Sequence, residues 1–550
     1  MKRNAMGRRR KILLGLLGAL VVLGGALGWL IHNWGQPLPV VYRRLEVVPA
    51  DAGSGRSVTY LRLGAPEGAP KRYITLDTNN DGTVDLVLTE GGRATSFVPP
   101  RADDTEARWL VLCLDGVPYE EFRMLWDEGH FREFHRPAPV IAPFPSASAL
   151  ALTALFRTGT VAGYEDGYFD RARNEMAGGA LKTSRQTDIP YARVLDYDLP
   201  GWSRGLAYVL PVKAYRADLG RLKKRFLASR ERVFIAHIAS TDSLHHVRPR
   251  AETRELLVEV DALLRELYLD SGGALRITLF SDHGNSDKES QRVPLAAHLE
   301  GRGWRLMDRL EQPRDVVVPA YGLLGTLVAY CAPDERGALA RDLAALEGAA
   351  FAVHADGDSA VMESVDGQAR VEWRTDGSAY RYFPQGADPL GLADILARLK
   401  QERKVDAEGW VSDADLFAAT REHIYPDAPR RLRQWATNHV ENGADVVMSL
   451  KPGYHYGSAT FGRIITLRGT HGALDREQSL GFATSTDGPL AGPVRAEEVL
   501  PRELPESKKP AEHERKKKSE NRKEETHSPA GDEPHFLFSI FYFLFSIFCG

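Results

Sequence analysis

Apolar and polar positions change their rhythm along this chain, and each rhythm predicts a different element. Residues 40–100 alternate, as in VTYLRLG (Val58–Gly64) and VDLVLTE (Val84–Glu90), which predicts half-buried strands in a small β-rich region. Further on, unbroken apolar runs replace alternation: RWLVLCLD (Arg108–Asp115), RVFIAHIAS (Arg232–Ser240), LRITLFSD (Leu275–Asp282) and GRIITLRG (Gly462–Gly469). Runs of this length, rich in β-branched residues, predict strands buried on both faces. Helical patterns lie between them. The clearest is ETRELLVEVDALLRELYLD, with Leu256, Leu257, Val260, Leu263, Leu264 and Leu267 on one face. Strands alternating with helices predict an α/β domain built on a doubly wound, mostly parallel sheet. The stretch 350–385 breaks that pattern with Asp-Gly pairs between short alternating runs, which predicts consecutive hairpins and hence a small β-rich cap insert.

The two ends read differently. Lys2, Arg3, Arg8, Arg9, Arg10 and Lys11 precede an uncharged apolar run from Ile12 to Ile31. That run matches the ~20 residues a spanning helix needs, so an N-terminal transmembrane signal anchor is expected, with a cleaved secretory signal as the alternative. The positive-inside rule then places the rest of the chain outside the cytoplasm, in the periplasm or at the cell exterior. At the other end, ERKKKSENRKEE and its surroundings are too charged to bury a core and predict a disordered tail. It closes on the aromatic run HFLFSIFYFLFSIFCG. The expected organisation is therefore an anchor at 1–35, a β-rich region at 36–104, a catalytic-type domain at 105–500 and a tail at 501–550.

Composition narrows the picture only slightly. The 550 residues carry a formal charge of −3, so no nucleic-acid-binding surface is evident. The three cysteines, Cys113, Cys331 and Cys549, fit neither a disulfide framework nor a zinc finger.

The candidate chemistry sits where apolar runs end. LCLDG supplies Asp115, PFPSAS supplies Ser146 and Ser148, TDSLHH supplies Asp242, His245 and His246, FSDHG supplies Asp282 and His283, and GTHG supplies His471. In open α/β sheets ligands collect at strand ends. Asp before Gly is by itself usually a turn, and Ser148, ahead of the helical ALALTALF, is by itself usually an N-cap. The set together, in this order, supplies the carboxylates, imidazoles and hydroxyl that a two-metal hydrolase needs.

These motifs resemble the alkaline phosphatase superfamily, in particular its nucleotide pyrophosphatase/phosphodiesterase-like branch. The resemblance covers roughly residues 105–490 apart from the insert. It implies that Asp115, Ser148, Asp282 and His283 surround one metal and that Asp242, His246 and His471 bind a second. It further implies two divalent metals, zinc with manganese as the alternative, and Ser148 as nucleophile on a phosphate-ester substrate, a phosphodiester or a monoester. The Asp-x-x-x-His spacing favours His246 over His245. The formylglycine motif of sulfatases is missing around Ser148. Two other functions share the pattern: a phosphoethanolamine- or phosphoglycerol-type transferase of the cell envelope, and a non-catalytic binding protein on the same fold. His237, His423, His439 and His455 are candidates for lining a pocket, with a structural role the commoner outcome. Nothing in the chain indicates an oligomeric state.

A separate motif is DTNNDGTVD. Asp77, Asn79, Asp81, Thr83 (through its carbonyl) and Asp85 match the first positions of a calcium loop, with Gly82 at the turn and Leu88 where the bidentate Glu would stand. The competing reading is an acidic hairpin turn.

Overall fold

The computed structural model describes residues 29, 32–49, 56–91, 94–97, 107–179, 189–320, 322–437, 440–459 and 461–502. The charged tail, the aromatic terminus with Cys549, and His439 lie outside these residues. So does the apolar run Ile12–Ile31, apart from Trp29.

The alternating region forms a five-stranded sheet of Tyr42–Val48, Arg56–Arg62, Arg72–Asp77, Leu86–Thr89 and Ala94–Phe97, each strand antiparallel to the next. Its buried side chains, Val58, Tyr60, Tyr73 and Val87, share a core with Leu256, Val260 and Leu264 of the long helix Arg250–Asp270. Polar contacts fix the same joint. Arg62 forks onto Asp270 through bonds of 2.8 and 2.9 Å, and the Arg265 guanidinium lies 5.2 Å from the centre of the Tyr60 ring.

The central sheet has six strands in the order Val233–Ile238, Trp109–Leu114, Arg276–Phe280, Leu480–Ser485, Ala138–Ile141 and Val494–Arg495. Every residue of Trp109–Leu114 is buried, and the period of two divides the strand between two cores. Leu110, Leu112 and Leu114 face the helices Pro211–Ala228 and Arg250–Asp270, while Val111 and Cys113 face the helix Ser148–Phe156.

Three expectations are corrected. First, the sheet is small and mixed rather than clearly doubly wound: three of its five ladders are parallel, and the two made by Leu480–Ser485 are antiparallel. That strand, LGFATS, carries little β-branched or alternating signal, yet it sits in the middle of the sheet. Second, Gly462–Gly469 overlaps the short helix Phe461–Ile464 and holds no strand. The segment threads between two loops: Arg468 N–H donates to the His246 carbonyl at 2.7 Å, and a Cβ on Gly469 would stand 2.2 Å from both Asn285 Oδ1 and the Ser286 carbonyl. No neighbouring strand fits there. Third, among the described residues no helix is long and apolar enough to cross a membrane. The 21-residue helix Arg250–Asp270 is long enough but carries charged residues throughout its length. The run behind the expected transmembrane helix lies outside the described residues apart from Trp29, so the structure supports neither that helix nor the localisation drawn from it.

Residues 326–450 contribute a seven-stranded antiparallel sheet, in the order Thr326–Ala329, Val446–Leu450, Ala349–Ala355, Ser359–Glu363, Gly367–Trp373, Ala379–Gly386 and Val411–Ser412. Gly357 and Gly377 take φ of 58° and 73° at the Asp-Gly turns. Arg495, at the far edge of the central sheet, ties this layer down through bonds of 2.7 Å to Asp413 and to Asp427.

Candidate metal centre

Asp115 is the first residue beyond Trp109–Leu114, and the chain turns at once through Gly116 at φ 67°. A side chain there has no room, since a Cβ would lie 2.8 Å from Asp242 Oδ1. Asp282 and His283 follow Arg276–Phe280, the parallel neighbour of the Asp115 strand, so both strands deliver their acids to one end of the sheet. Asp242 and His246 occupy the helix Ser240–Val247, which follows Val233–Ile238 on the other side. At a separation of four residues they share a helix face. Asp218 holds the start of that helix, accepting from the Ser240 hydroxyl at 2.6 Å and the Tyr197 hydroxyl at 2.5 Å, and burial pushes its carboxyl up to about 6. His471 arrives on the loop before Leu480–Ser485.

These residues meet. His283 Nε2 stands 3.4 Å from Asp115 Oδ1 and 3.5 Å from Asp282 Oδ2, while Asp242 Oδ1 is 3.3 Å from His246 Nε2 and 3.5 Å from His471 Nε2. Two triplets have donor atoms mutually within 4.8 Å: Asp115–Asp282–His283 and Asp242–His283–His471. His283 belongs to both, and its ring stacks on His471 with centroids 3.9 Å apart.

The hydrogen bonds show what these groups are built to hold. Each imidazole has its Nδ1 at 2.9 Å from a backbone carbonyl: His246 on Gly469, His283 on Gly284 and His471 on Ser146. A carbonyl oxygen only accepts, so Nδ1 carries the proton in all three rings. In the neutral ring the Nε2 lone pair then points inward, at carboxylate oxygens. Lone pairs facing lone pairs repel unless a cation lies between them. Asp242 Oδ1 and Asp282 Oδ2 are moreover buried without a hydrogen-bond donor. Carbonyl-anchored imidazoles, carboxylates and orphaned oxygens fit divalent metals, and a carbonyl on the far nitrogen is the usual outer support of a metal-bound histidine.

Electrostatics tell the same story. Burial and the adjacent Asp115 push the Asp282 carboxyl up to about 6. Burial opposes the charge on Asp242, yet His246 and His471 outweigh it and hold the carboxyl far below its ordinary range. His283 is raised, because Asp282 and Asp115 overcome burial, whereas burial and the nearby His283 drive His471 down. Groups pulled this far apart mark a site that accumulates charge.

The two serines separate cleanly. Ser146 is fully buried, its hydroxyl engaged by Pro143 and Ala473 carbonyls, Ser479 and Arg431. Ser148 opens the helix Ser148–Phe156 and is partly exposed, with Oγ 3.1 Å from both Asp115 Oδ1 and His283 Nε2. His245 turns away: its Nδ1 bonds the Thr241 carbonyl at 2.7 Å, and Nε2 lies 3.3 Å from Glu121.

Sequence reasoning undervalued His237. It lies between Asp115 Oδ2, at 2.9 Å, and Asp198 Oδ1, at 3.0 Å. Burial works against its charge, but Asp198 and Asp115 prevail and its pKa is pushed up to about 10. The available signal was a lone polar residue inside the apolar run FIAHIAS. Asp198, itself paired to Arg204 at 2.7 Å, and Tyr208, whose hydroxyl donates to Asp242 Oδ2 at 3.1 Å, carried no signal at all. His455 bonds Ser290 and His423 accepts from the Tyr425 amide, both in structural roles.

No family model and no curated protein matches this sequence. Among solved structures, similar chains include phosphonoacetate hydrolase from Sinorhizobium meliloti 1021, at 12% identity over 75% of this chain and 97% of that one, with a TM-score of 0.38. Murine ectonucleotide pyrophosphatase/phosphodiesterase 5 is similar at 11% identity over 71% of this chain and 92% of its own, also with a TM-score of 0.38. Its human counterpart shows 10% identity, 71% and 92% coverage, and the same score. Likeness at this level leaves the chemistry to be read from the side chains.

Proposed function

We propose that this chain is a metal-dependent hydrolase of phosphate esters with Ser148 as its nucleophile. The observation that carries the reading is the placement of Ser148 Oγ, 3.1 Å from both Asp115 Oδ1 and His283 Nε2 and at the mouth of a buried carboxylate–imidazole cluster. Asp115, Asp282 and His283 would hold one divalent metal with Ser148, and Asp242, His246 and His471 the other. Imidazole mixed with carboxylate suits zinc, with manganese as the alternative. Bound there, such ions supply positive charge against a phosphoryl group and ease ionisation of a hydroxyl or a water.

The chain's own residues account for the rest. Ser148 has both acceptors on the buried side, so its hydroxyl proton points inward and a lone pair is left for the open side. The N-terminus of its helix adds favourable partial charge for a phosphate at that position. Attack of Oγ, with its proton lost to the buried acceptors, forms one O–P bond and breaks the bond to the leaving alcohol, which takes up a proton. A monoester gives phosphoserine and a diester its alkyl ester, and attack by water then breaks the Ser148 O–P bond and releases phosphate or a phosphate monoester. Asp218 and Tyr208 hold the Asp242 helix and carboxylate in place.

The test is metal content together with turnover of bis-p-nitrophenyl phosphate and p-nitrophenyl phosphate, for the full chain and for Ser148→Ala. Two zinc or manganese ions per chain, with turnover falling at least a thousandfold in the variant while metal stays bound, is the expected result. The preferred ester assigns the diesterase or monoesterase reading. Undiminished turnover in Ser148→Ala would remove the serine from the mechanism, and a chain that binds no metal would sink the whole assignment.

A further inference from the structure

In the N-terminal sheet, the turn joining Arg72–Asp77 to Leu86–Thr89 carries a second concentration of oxygen ligands. We propose that Asp77, Asn79, Asp81, the Thr83 carbonyl and Asp85 form a calcium site that locks the N-terminal sheet onto the body of the molecule. This goes beyond the phosphoesterase reading and stands independently of it.

The spacing of these residues is only a beginning, because an acidic turn alone needs no ion. The second observation is Asp77. It is 7% exposed, and its Oδ2 accepts the Gly82 amide at 2.9 Å, which turns the carboxylate into the loop. Its Oδ1 is buried and receives no hydrogen bond. A buried carboxylate oxygen without a partner is costly. Nearby Asp81 and Asp85 add like charge around it. A cation is the partner that would offset both the orphaned oxygen and the like charge. Of the cationic groups packed here, Arg56 stands opposite Asp77 in the ladder, and Arg132 lies 4.8 Å from the centre of the Trp126 ring and donates to the Gly82 carbonyl.

The donors named are all oxygens, which selects a hard cation. Calcium takes six to eight oxygens in flexible geometry, whereas magnesium demands a near-ideal octahedron. With Leu88 in place of the bidentate Glu, water must complete the shell and affinity is expected to be modest. The loop packs directly on the body: a Cβ at Gly82 would lie 3.2 Å from the Trp126 ring and 3.3 Å from Arg132, and the Val84 amide donates to the Arg132 carbonyl at 3.0 Å. An ion that rigidifies the loop therefore stiffens this joint.

The closeness of Trp126 supplies the readout. Terbium, which replaces calcium in oxygen sites, luminesces when excited through a nearby indole. The experiment titrates terbium into the full chain pre-loaded with zinc, and into Asp81→Asn, Trp126→Phe and Asp242→Asn. Asp81 is exposed, so its substitution leaves folding intact. The expected result is tryptophan-sensitised luminescence that calcium displaces and equimolar magnesium does not, with apparent affinity at least tenfold weaker in Asp81→Asn. The signal should collapse in Trp126→Phe and persist in Asp242→Asn. Direct calcium titration calorimetry of the full chain and Asp81→Asn guards against misfolding of the tryptophan variant. Luminescence indifferent to Asp81→Asn, luminescence lost only in Asp242→Asn, or no calcium heat in the full chain would each overturn the proposal and leave a plain acidic turn.

Discussion

A histidine wedged between two buried carboxylates, as His237 is between Asp115 and Asp198, holds them in place only while it keeps its proton. Removing the ring by His237→Ala takes the charged partner from buried Asp115 and leaves Asp198 with Arg204 alone, a change that costs about 3–5 kcal/mol. Urea unfolding of the metal-free protein checks this, and His237→Gln, which retains a hydrogen-bonding side chain, should lose less. The pH dependence has a definite sign. The folded pKa of about 10 stands above the ordinary value of 6.5, so the stabilisation is fully present below pH 6.5 and disappears as pH rises through 10. Wild-type stability should fall over that window with a slope that His237→Gln removes. A parallel slope in the two proteins would show that the His237 proton does not contribute.

Gly116 is where three elements meet at the centre. A strand end, a left-handed glycine and a helix face converge within one turn, and the Asp242 carboxylate fills the space a side chain would take. Gly116→Ala should add about 1–2 kcal/mol of backbone strain and displace Asp242. Metal affinity is then expected to drop roughly 10–100-fold, the range seen when support around a ligand is disturbed. Competition with a chromophoric chelator measures it, and unchanged affinity would mean that the two loops move independently. The same junction explains what could be read in advance. Asp115, Asp242, Asp282 and His283 were legible because each terminates an apolar run or begins a helix, where local pattern and position coincide. The mixed sheet was not legible, because Leu480–Ser485 draws its place from partners more than 190 residues away in sequence, on Arg276–Phe280, rather than from its own composition. His237 was half legible: its polarity stood out in the strand, but the acid opposite it at Asp198 comes from an irregular loop. The choice of Ser148 over Ser146 needed the hydroxyl partners themselves.

For the whole molecule, the centre joins strand ends, a helix and a late loop, so ions bound there favour the folded state by mass action. At a free concentration of one hundred times Kd the gain is about 2.7 kcal/mol per site. Zinc or manganese should therefore raise the Tm of the full chain and a chelator should lower it, with Asp242→Asn responding less. A Tm indifferent to chelation would show that the carboxylate–imidazole cluster is held together without ions.

The position of His471, on the loop that precedes the inserted strand Leu480–Ser485, also sets a timetable. A ribosome adding ~5–20 residues per second takes roughly 20–70 s to travel from Asp115 to His471. Once residue 283 has been added, the nascent chain carries its acids, its hydroxyl and two of its three imidazoles, but for a further roughly 10–40 s it lacks the residue that completes one triplet and the strand that runs through the middle of the sheet. Synthesis thus acts as a delay line: the donor set is complete only once His471 has been added, and a transcript cut short before codon 471 yields a product without the complete centre.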